Sequence, residues 1–300
     1  MYVNVVTIVI LSRGKCGLSS STTCYLVAMA TADLLVVFLD LILRQIPIAY
    51  QLRIVKFIPV CNIHAALLYA ATDSSVWFTV AFTFDRFIVI CCQKVRSGYC
   101  TDKTAAWVLG TVAILSTLKD IPWYFMLTAW YRLNNSPWFC YMSTRNKISR
   151  FWGAIELVQN ILTPGFPFVL ILLLNVLTVR HILVSSRARS RLRNASNVNS
   201  HKDPEIESRR KSILLLFAVS GNFIVLWSIF MAYSMWWRIF NMADIYGDMP
   251  LFVLEIGFML QLLSCCTNTC IYAVTQSNFR KQFINVVYIP LYKIIHYIKY

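Results

Sequence analysis

The chain has 300 residues, and its composition indicates that it lies in a membrane. Hydrophobic residues make up 58% of it, charged residues only 14%, and the mean hydropathy is +0.60, which excludes an ordinary soluble domain. The net charge of +15 falls mostly in loops on one side of the predicted membrane.

Seven apolar segments follow one another along the chain. The first, "MYVNVVTIVIL", covers roughly half of a hydrocarbon core that needs about 20 helical residues to cross. We interpret residues 1–12 as a truncated first helix, in a chain that is a fragment or has a mis-assigned start; the alternative is a signal-peptide core. Full-length spans are predicted at 22–43, 58–84, 105–128, 153–179, 212–236 and 250–274. The predicted fold is an all-α membrane protein, one seven-transmembrane helix bundle over residues 1–300.

The placement of Lys and Arg predicts the orientation. Basic residues concentrate in the loops at 12–21, 93–104, 180–211 and 276–300, which marks that side as cytoplasmic and puts the N-terminus outside. Residues 185–208 form the predicted third cytoplasmic loop, and 276–300 hold a short amphipathic eighth helix and the C-terminal tail. The basic face suits anionic membrane lipid, and we infer no nucleic-acid site from it.

An Asp-Arg pair ends the third span in the stretch "FTFDRFIVICCQKVR". A charge near the bilayer centre costs a few kcal/mol, but Asp85 and Arg86 lie at the cytoplasmic end of this span. We therefore expect the carboxylate to pair with the arginine, and the arginine to reach headgroups and water.

Two of the ten cysteines fall on the outer side in this topology. Cys61 is at the outer end of the third helix, and Cys140 is in the loop after the fourth. In an oxidising compartment they are the obvious candidates for a disulfide.

Several motifs together resemble the rhodopsin-like G-protein-coupled receptors. Asp85-Arg86 is similar to the family's Asp-Arg-Tyr motif and has the same relation to Cys61, and "NTCIY" stands where the family has Asn-Pro-x-x-Tyr. The other positions that match the family are Asn4, Asp33, Trp107, Pro167, Phe223, Trp227 and the stretch "SNFRKQF". The resemblance implies a receptor in the plasma membrane that couples an extracellular ligand to a heterotrimeric G protein.

The chain departs from the family pattern at four positions. Phe87 replaces the motif Tyr, Asn175 replaces a fifth-helix Tyr, and Ile229 and Thr269 stand where the sixth and seventh helices usually have proline. Losing both prolines removes two places where helices break or bend.

Within the family, the chain resembles the orphan group called probable G-protein coupled receptor 139. Phrases such as "YLVAMATADLLV", "CNIHAALLYAATD" and "WFTVAFTFDRFIVICCQK" carry that resemblance. It implies a sensor of aromatic amino acids that couples mainly through Gq, and a short peptide is an alternative ligand.

The resemblance also assigns roles to residues. The activation switch would comprise Asp85, Arg86, Phe223, Trp227, Asn268 and Tyr272. Asp33 lies near mid-span, where an ionisable group must find polar company, and Ser75, Ser264 and Asn268 could hold a sodium ion with it. The alternative is a protonated Asp33 hydrogen-bonded to Asn268. No other cofactor is expected.

The outer half of the bundle is expected to hold the ligand. Leu68 occupies the site where amine receptors have Asp, which argues against a monoamine. An amino-acid zwitterion would fit a set of a cation, an acid and aromatic rings, and the candidates are Arg44, Leu68, Tyr69, Asp73, Trp227 and Glu255. Asp40 and Arg44 have i,i+4 spacing, so Arg44 could instead simply pair with Asp40.

Two other classes of protein fit the sequence less well. A multi-pass transporter would show matching halves with interrupted spans, and the sequence has no internal repeat. An enzyme would need a nucleophile-base or metal motif, and none is present, so we predict that the protein is not an enzyme.

Overall fold

The computed structural model describes the backbone of residues 1–14, 16–46, 50, 58–126, 150–195, 204–242 and 251–288. In these ranges six helices are long and apolar enough to cross a membrane, and a shorter apolar helix, Tyr2–Ser12, precedes them. The six are Ser20–Gln45, Asn62–Cys91, Asp102–Phe125, Phe151–Arg187, Arg210–Trp236 and Phe252–Thr275, which confirms the predicted full-length spans. Together the seven are called the first to seventh helices.

Several helices extend beyond their apolar spans. The second runs over Ser20–Val36 and continues as the π-helix Val37–Gln45, the third covers Ile58–Cys91, and a short connecting helix covers Gln93–Tyr99. The fourth to seventh cover Asp102–Met126, Arg150–Ala195, Pro204–Met242 and Leu251–Thr275. An eighth helix, Ser277–Phe283, continues as the π-helix Ile284–Tyr288. We call the end of the bundle that holds residues 13–19 and 92–101 the basic end, and the other end the opposite end.

Polar side chains attach the first helix to the seventh. Asn4 is buried and donates from Nδ2 to the Cys265 carbonyl oxygen at 3.0 Å. The hydroxyls of Thr7 and Thr269 lie 2.8 Å apart, and Thr269 also donates to the Val3 carbonyl at 3.4 Å. Because Thr269 keeps the backbone N–H that proline lacks, the seventh helix continues unbroken over Leu251–Thr275.

The fifth helix contains a break at Thr163, whose φ of −150° and ψ of 113° are extended. Pro164 follows it, and a proline disfavours the helical conformation in the residue before it. Pro167, the proline that matches the family, is preceded by a helical Phe166 (φ −64°, ψ −45°). It is tolerated because it lies in the first turn of the segment Phe166–Ala195, where backbone N–H groups have no intrahelical partner.

The eighth helix packs on the basic end of the bundle. Phe279 is fully buried and meets the Tyr272 ring edge-on at 5.9 Å between centroids, while Arg280 and Lys281 are exposed. Gly17 has a φ of +67°, and a Cβ there would lie 2.8 Å from Asn278 Nδ2, so glycine is required where this connection approaches the eighth helix. The predicted amphipathic eighth helix is therefore present.

Candidate functional site

The Asp-Arg pair at the end of the third helix forms a buried ion pair. Arg86 Nη2 contacts Asp85 Oδ2, and Arg86 Nε donates to the same oxygen at 3.1 Å. The second helix contributes Ser21, whose hydroxyl donates to Asp85 Oδ1 at 3.1 Å. Both oxygens of the carboxylate are thus engaged, as a charge buried in protein requires.

The expectation that Arg86 reaches headgroups and water is wrong in this conformation, because only 5% of Arg86 is exposed. The Phe82 ring lies 5.8 Å from the guanidinium carbon, and Arg86 Nη1 donates to Ser212 Oγ on the sixth helix at 3.4 Å. Side chains of the third and sixth helices therefore contact the guanidinium. Its bond to the sixth helix is to a neutral hydroxyl, not to an acid.

The connecting helix packs beside this ion pair. Tyr99 meets the Phe84 ring edge-on at 5.9 Å. Burial raises the pKa of the Cys100 thiol to about 11, and the Asp85 carboxylate adds to the shift. Because the thiolate is the reactive form of cysteine, this environment disfavours reaction at Cys100.

A polar core lies farther into the bundle, around Asp33 of the second helix. Ser75 of the third helix donates to Asp33 Oδ1 at 2.5 Å, and Asn268 of the seventh donates from Nδ2 to Oδ2 at 2.8 Å. Ser264 lines the same small cavity, which has room for about one water-sized molecule. All four residues predicted for the sodium site thus meet at one place.

The cavity is also lined by a residue that the sequence analysis did not single out. Asn222 of the sixth helix accepts a hydrogen bond from the Thr267 hydroxyl at 2.9 Å and approaches Ser264 Oγ with its amide nitrogen at 3.5 Å. Asn222 could have been predicted from its position inside the apolar run "FAVSGNFIVLW", because a polar group in a membrane helix needs a partner on a neighbouring helix.

Aromatic side chains of the predicted switch border the same cavity. Phe223 and Trp227 are both buried, their ring centroids are 5.3 Å apart, and both line the cavity beside Asp33. Tyr272 is buried as well, and its hydroxyl has no hydrogen-bond partner among the described residues. Of the switch residues, Trp227, Phe223 and Asn268 therefore share one site with Asp33.

The structure separates the six residues predicted to contact ligand. Arg44 donates from Nη1 to Asp40 Oδ1 at 3.0 Å and lies 5.8 Å from the Phe258 ring centroid. The Arg44 side chain is nevertheless 39% exposed. Leu68 is half-buried against apolar residues of the second and seventh helices, and Glu255 is exposed.

Two other candidates turn towards the fourth helix. Tyr69 stacks on Trp123 with ring centroids 4.0 Å apart. Asp73 is buried, forms an ion pair with Lys119, and accepts hydrogen bonds at 3.3 Å from Gln159 of the fifth helix. Lys119 was not predicted as a functional residue. Lys119 and Asp120 are nevertheless ionisable residues inside a predicted span, which is the feature that indicated a role for Asp33.

The predicted disulfide cannot be located in the structure. Cys140 lies outside the described residues, and so does the side chain of Cys61. Their pairing stays a prediction.

Comparison with known proteins shows the family of the chain. Residues 3–272 match the model described as "7 transmembrane receptor (rhodopsin family)". Probable G-protein coupled receptor 142 of Mus musculus is 26% identical over 270 residues, which cover 85% of this chain and 62% of the relative. The thyrotropin-releasing hormone receptor of Ovis aries is 24% identical over 75% of this chain and 60% of its own length. The human thyrotropin-releasing hormone receptor is 27% identical over 41% of this chain and 31% of its own length.

The chain spans less than two thirds of the length of each of these relatives. The family match covers five of the full-length spans completely, and most of the first helix and of the span Phe252–Thr275. It also leaves the transporter alternative without support, and the family is one of receptors, not of enzymes. The chain belongs to the rhodopsin family of seven-transmembrane, G-protein-coupled receptors.

Proposed function

We propose that the chain is a plasma-membrane receptor that couples a small extracellular ligand to a heterotrimeric G protein of the Gq class. The proposed ligand is an aromatic amino acid or a short peptide, as the resemblance to the group called probable G-protein coupled receptor 139 implies. The observation that carries the proposal is the shared site of Asp33, Asn268 and Trp227, which joins the second, sixth and seventh helices around one cavity. A ligand that displaces Trp227 would change the packing of all three helices.

The basic end is proposed to face the cytoplasm, with the N-terminus outside. Arg86 is buried there and is connected to the sixth helix through Ser212. Moving the sixth helix away would expose Arg86 to the G protein, a local rearrangement with a global effect. The exposed Arg280 and Lys281 of the eighth helix suit anionic lipid at the same face.

The polar core fits a sodium ion. The residues that line the cavity include a carboxyl group, three hydroxyl groups and two side-chain amides, and such oxygen donors suit hard cations. Asp33, Ser75, Ser264 and Asn268 would hold the ion, which would favour the resting packing. The protonated alternative uses the same hydrogen bond from Asn268 to Asp33.

Ligand recognition is proposed at the opposite end. Asp40 holds Arg44 through one nitrogen, which leaves other guanidinium N–H groups of the partly exposed side chain for a ligand carboxylate. Asp73 already forms an ion pair with the ammonium group of Lys119. Glu255 is therefore the better of the two candidate acids for a ligand ammonium group.

Calcium release in cells tests this assignment with L-tryptophan and tryptamine, which lacks the carboxylate. Arg44→Ala should raise the effective concentration of L-tryptophan by roughly tenfold or more, because a lost charge pair of about 1.4 kcal/mol gives one decade. The tryptamine response should stay nearly unchanged. Glu255→Gln should raise the effective concentrations of both agonists, because both carry the ammonium group.

Two outcomes would contradict the assignment. Equal shifts for both agonists in Arg44→Ala would mean that Arg44 acts through Asp40 and not on the carboxylate. If no aromatic amino acid releases calcium through the receptor, the ligand class is wrong.

A further inference from the structure

A second buried polar cluster lies where the third, fourth and fifth helices meet. The fourth-helix cluster consists of Asp73, Lys119, Asp120, Gln159 and Thr163. Lys119 Nζ pairs with Asp73 and donates to Thr163 Oγ1 at 3.3 Å, and Gln159 Nε2 lies 3.3 Å from both oxygens of Asp73. Asp73 therefore has partners from both neighbouring helices.

Asp120 is the member of the cluster without a hydrogen-bond partner. Its exposure is 0%, and neither carboxylate oxygen is bonded by any described residue. The nearest cation is Lys119, whose Nζ is 4.0 Å from Asp120 Oδ1 and is already paired with Asp73. An ionised, unpartnered carboxylate at this depth would cost several kcal/mol.

Charge counting shows an excess of one carboxyl group. The described members of the cluster include two carboxyl groups, Asp73 and Asp120, and one ammonium group, that of Lys119, which pairs with Asp73 and lies 4.0 Å from Asp120. Gln159 and Thr163 face the cluster from the fifth helix and are uncharged, and Glu156, one turn from Gln159, has contacts of its own.

The second helix also packs against the fourth, but its one cationic side chain, Arg44, and both of its carboxylates have partners elsewhere. Asp33 is bonded by Ser75 and Asn268, and Asp40 is paired with Arg44. No described group on the second helix therefore supplies the missing positive charge.

Aromatic rings close the cluster towards the opposite end. Tyr69 lies one turn from Asp73 and Trp123 one turn from Asp120, and their rings stack at 4.0 Å with an interplanar angle of 10°. Lys119 is the most exposed member of the cluster, with 23% of its side chain accessible. The accessible part of Lys119 gives protons from solvent a route to the two buried carboxyl groups.

We propose that the fourth-helix cluster is a proton-binding site in which Asp120 takes one proton from solvent. The new O–H bond makes Asp120 a neutral acid that donates a hydrogen bond to the Asp73 carboxylate, and the remaining charges of Asp73 and Lys119 balance. Binding this proton stabilises the packing of the third, fourth and fifth helices. The site does not depend on the ligand or G protein proposed above.

Infrared spectroscopy of the full chain in lipid nanodiscs tests the site by the carbonyl stretch of a protonated carboxylic acid. The band should weaken as pH rises, and Asp120→Asn should remove the band that belongs to this site. Asp73→Asn should remove it too, because Lys119 then balances Asp120 and leaves no excess carboxyl group. Asp33→Asn is the control for the other buried carboxyl group, and the Asp120 band should persist in it.

Thermal stability gives a second measurement on the same samples. A group that binds a proton more tightly in the folded state contributes stability that is lost as pH rises. The midpoint temperature of the wild type should therefore fall with rising pH more steeply than that of Asp120→Asn. An unchanged carbonyl band in Asp120→Asn would overturn the proposal, and so would an equal pH dependence of the two midpoint temperatures. The proposal is also overturned if the pH dependence of the wild-type midpoint disappears when choline replaces sodium in the buffer, because that dependence would then come from sodium.

Discussion

Removing the hydroxyl of Ser212 should raise signalling in the absence of any ligand. Ser212 is the described residue through which the sixth helix bonds to Arg86, with a nitrogen-to-oxygen distance of 3.4 Å. Ser212→Ala removes this bond and leaves the ion pair with Asp85 in place. The resting arrangement should lose stability relative to one in which the sixth helix has moved away.

The size of the effect follows from the geometry. A hydrogen bond to a charged group contributes about 1.5–3 kcal/mol when it is well formed, but 3.4 Å is longer than the usual N–H···O distance. We therefore expect about 0.5–1 kcal/mol, which corresponds to roughly a two- to fivefold rise in the active fraction. Ser212→Glu should act in the opposite direction, because a carboxylate would form a charge-assisted bond to Arg86.

The assay is basal inositol phosphate production in cells, normalised to surface expression of each variant. Ser228→Ala is the matched control, because Ser228 lies on the same helix and its hydroxyl donates to the Val225 carbonyl of its own turn, not to another helix of the described structure. Basal signalling equal to wild type in Ser212→Ala, or raised in Ser212→Glu, would refute the reasoning.

Three further predictions concern other contacts. Cys61→Ala and Cys140→Ala should each abolish surface expression or response, and the double variant should be no worse; additive losses would mean that the two cysteines do not pair. Asp33→Asn should abolish the effect of sodium on agonist affinity, and an unchanged sodium effect would place the ion elsewhere. Thr7→Val should lower the thermal midpoint by the equivalent of about 1 kcal/mol, because it removes the buried bond to Thr269; an unchanged midpoint would show that this bond does not stabilise the fold.

The positions of the helices could be predicted because the bilayer imposes a length on apolar segments. Helix ends could not be predicted in the same way. The apolar span predicted at 212–236 lies inside the helix Pro204–Met242, since a helix continues where its backbone bonds continue, whether or not lipid surrounds it. The fifth helix contains two prolines, Pro164 and Pro167, and the sequence does not tell which of them interrupts it. Pro167 lies in the first turn of the segment Phe166–Ala195, where proline is tolerated, so the break is at Thr163, just before Pro164.

The candidate site was predictable where a polar residue stands out in an apolar run. Asp33 and the pair Asp85-Arg86 stand out in this way, whereas Asn268 was assigned through the resemblance to the receptor family; the structure joins Asp33 to Asn268 and Asp85 to Arg86. Lys119 was missed because its partner Asp73 is on another helix, and the face that Lys119 presents depends on how the fourth helix packs. For the same reason Asp73 was assigned to a ligand when its partner is within the protein.

Three groups of buried charges each include a residue of the third helix or a bond to it. Asp33 joins the second, third and seventh helices, Asp73 joins the third and fourth through Lys119, and Asp85 joins Arg86 to Ser21 of the second. The sixth helix is connected to these groups among the described residues by neutral partners, namely Ser212 and Asn222.

Separating a buried ion pair costs several kcal/mol, whereas a neutral hydrogen bond contributes about 1 kcal/mol. Displacement of the sixth helix leaves the pairs of Arg86 with Asp85 and of Lys119 with Asp73 intact. Among the described contacts it breaks the long bond from Arg86 to the Ser212 hydroxyl and the hydrogen bonds of Asn222. Displacement of the fourth helix would instead separate Lys119 from Asp73. The distribution of charge thus makes displacement of the sixth helix less costly in free energy than displacement of the fourth.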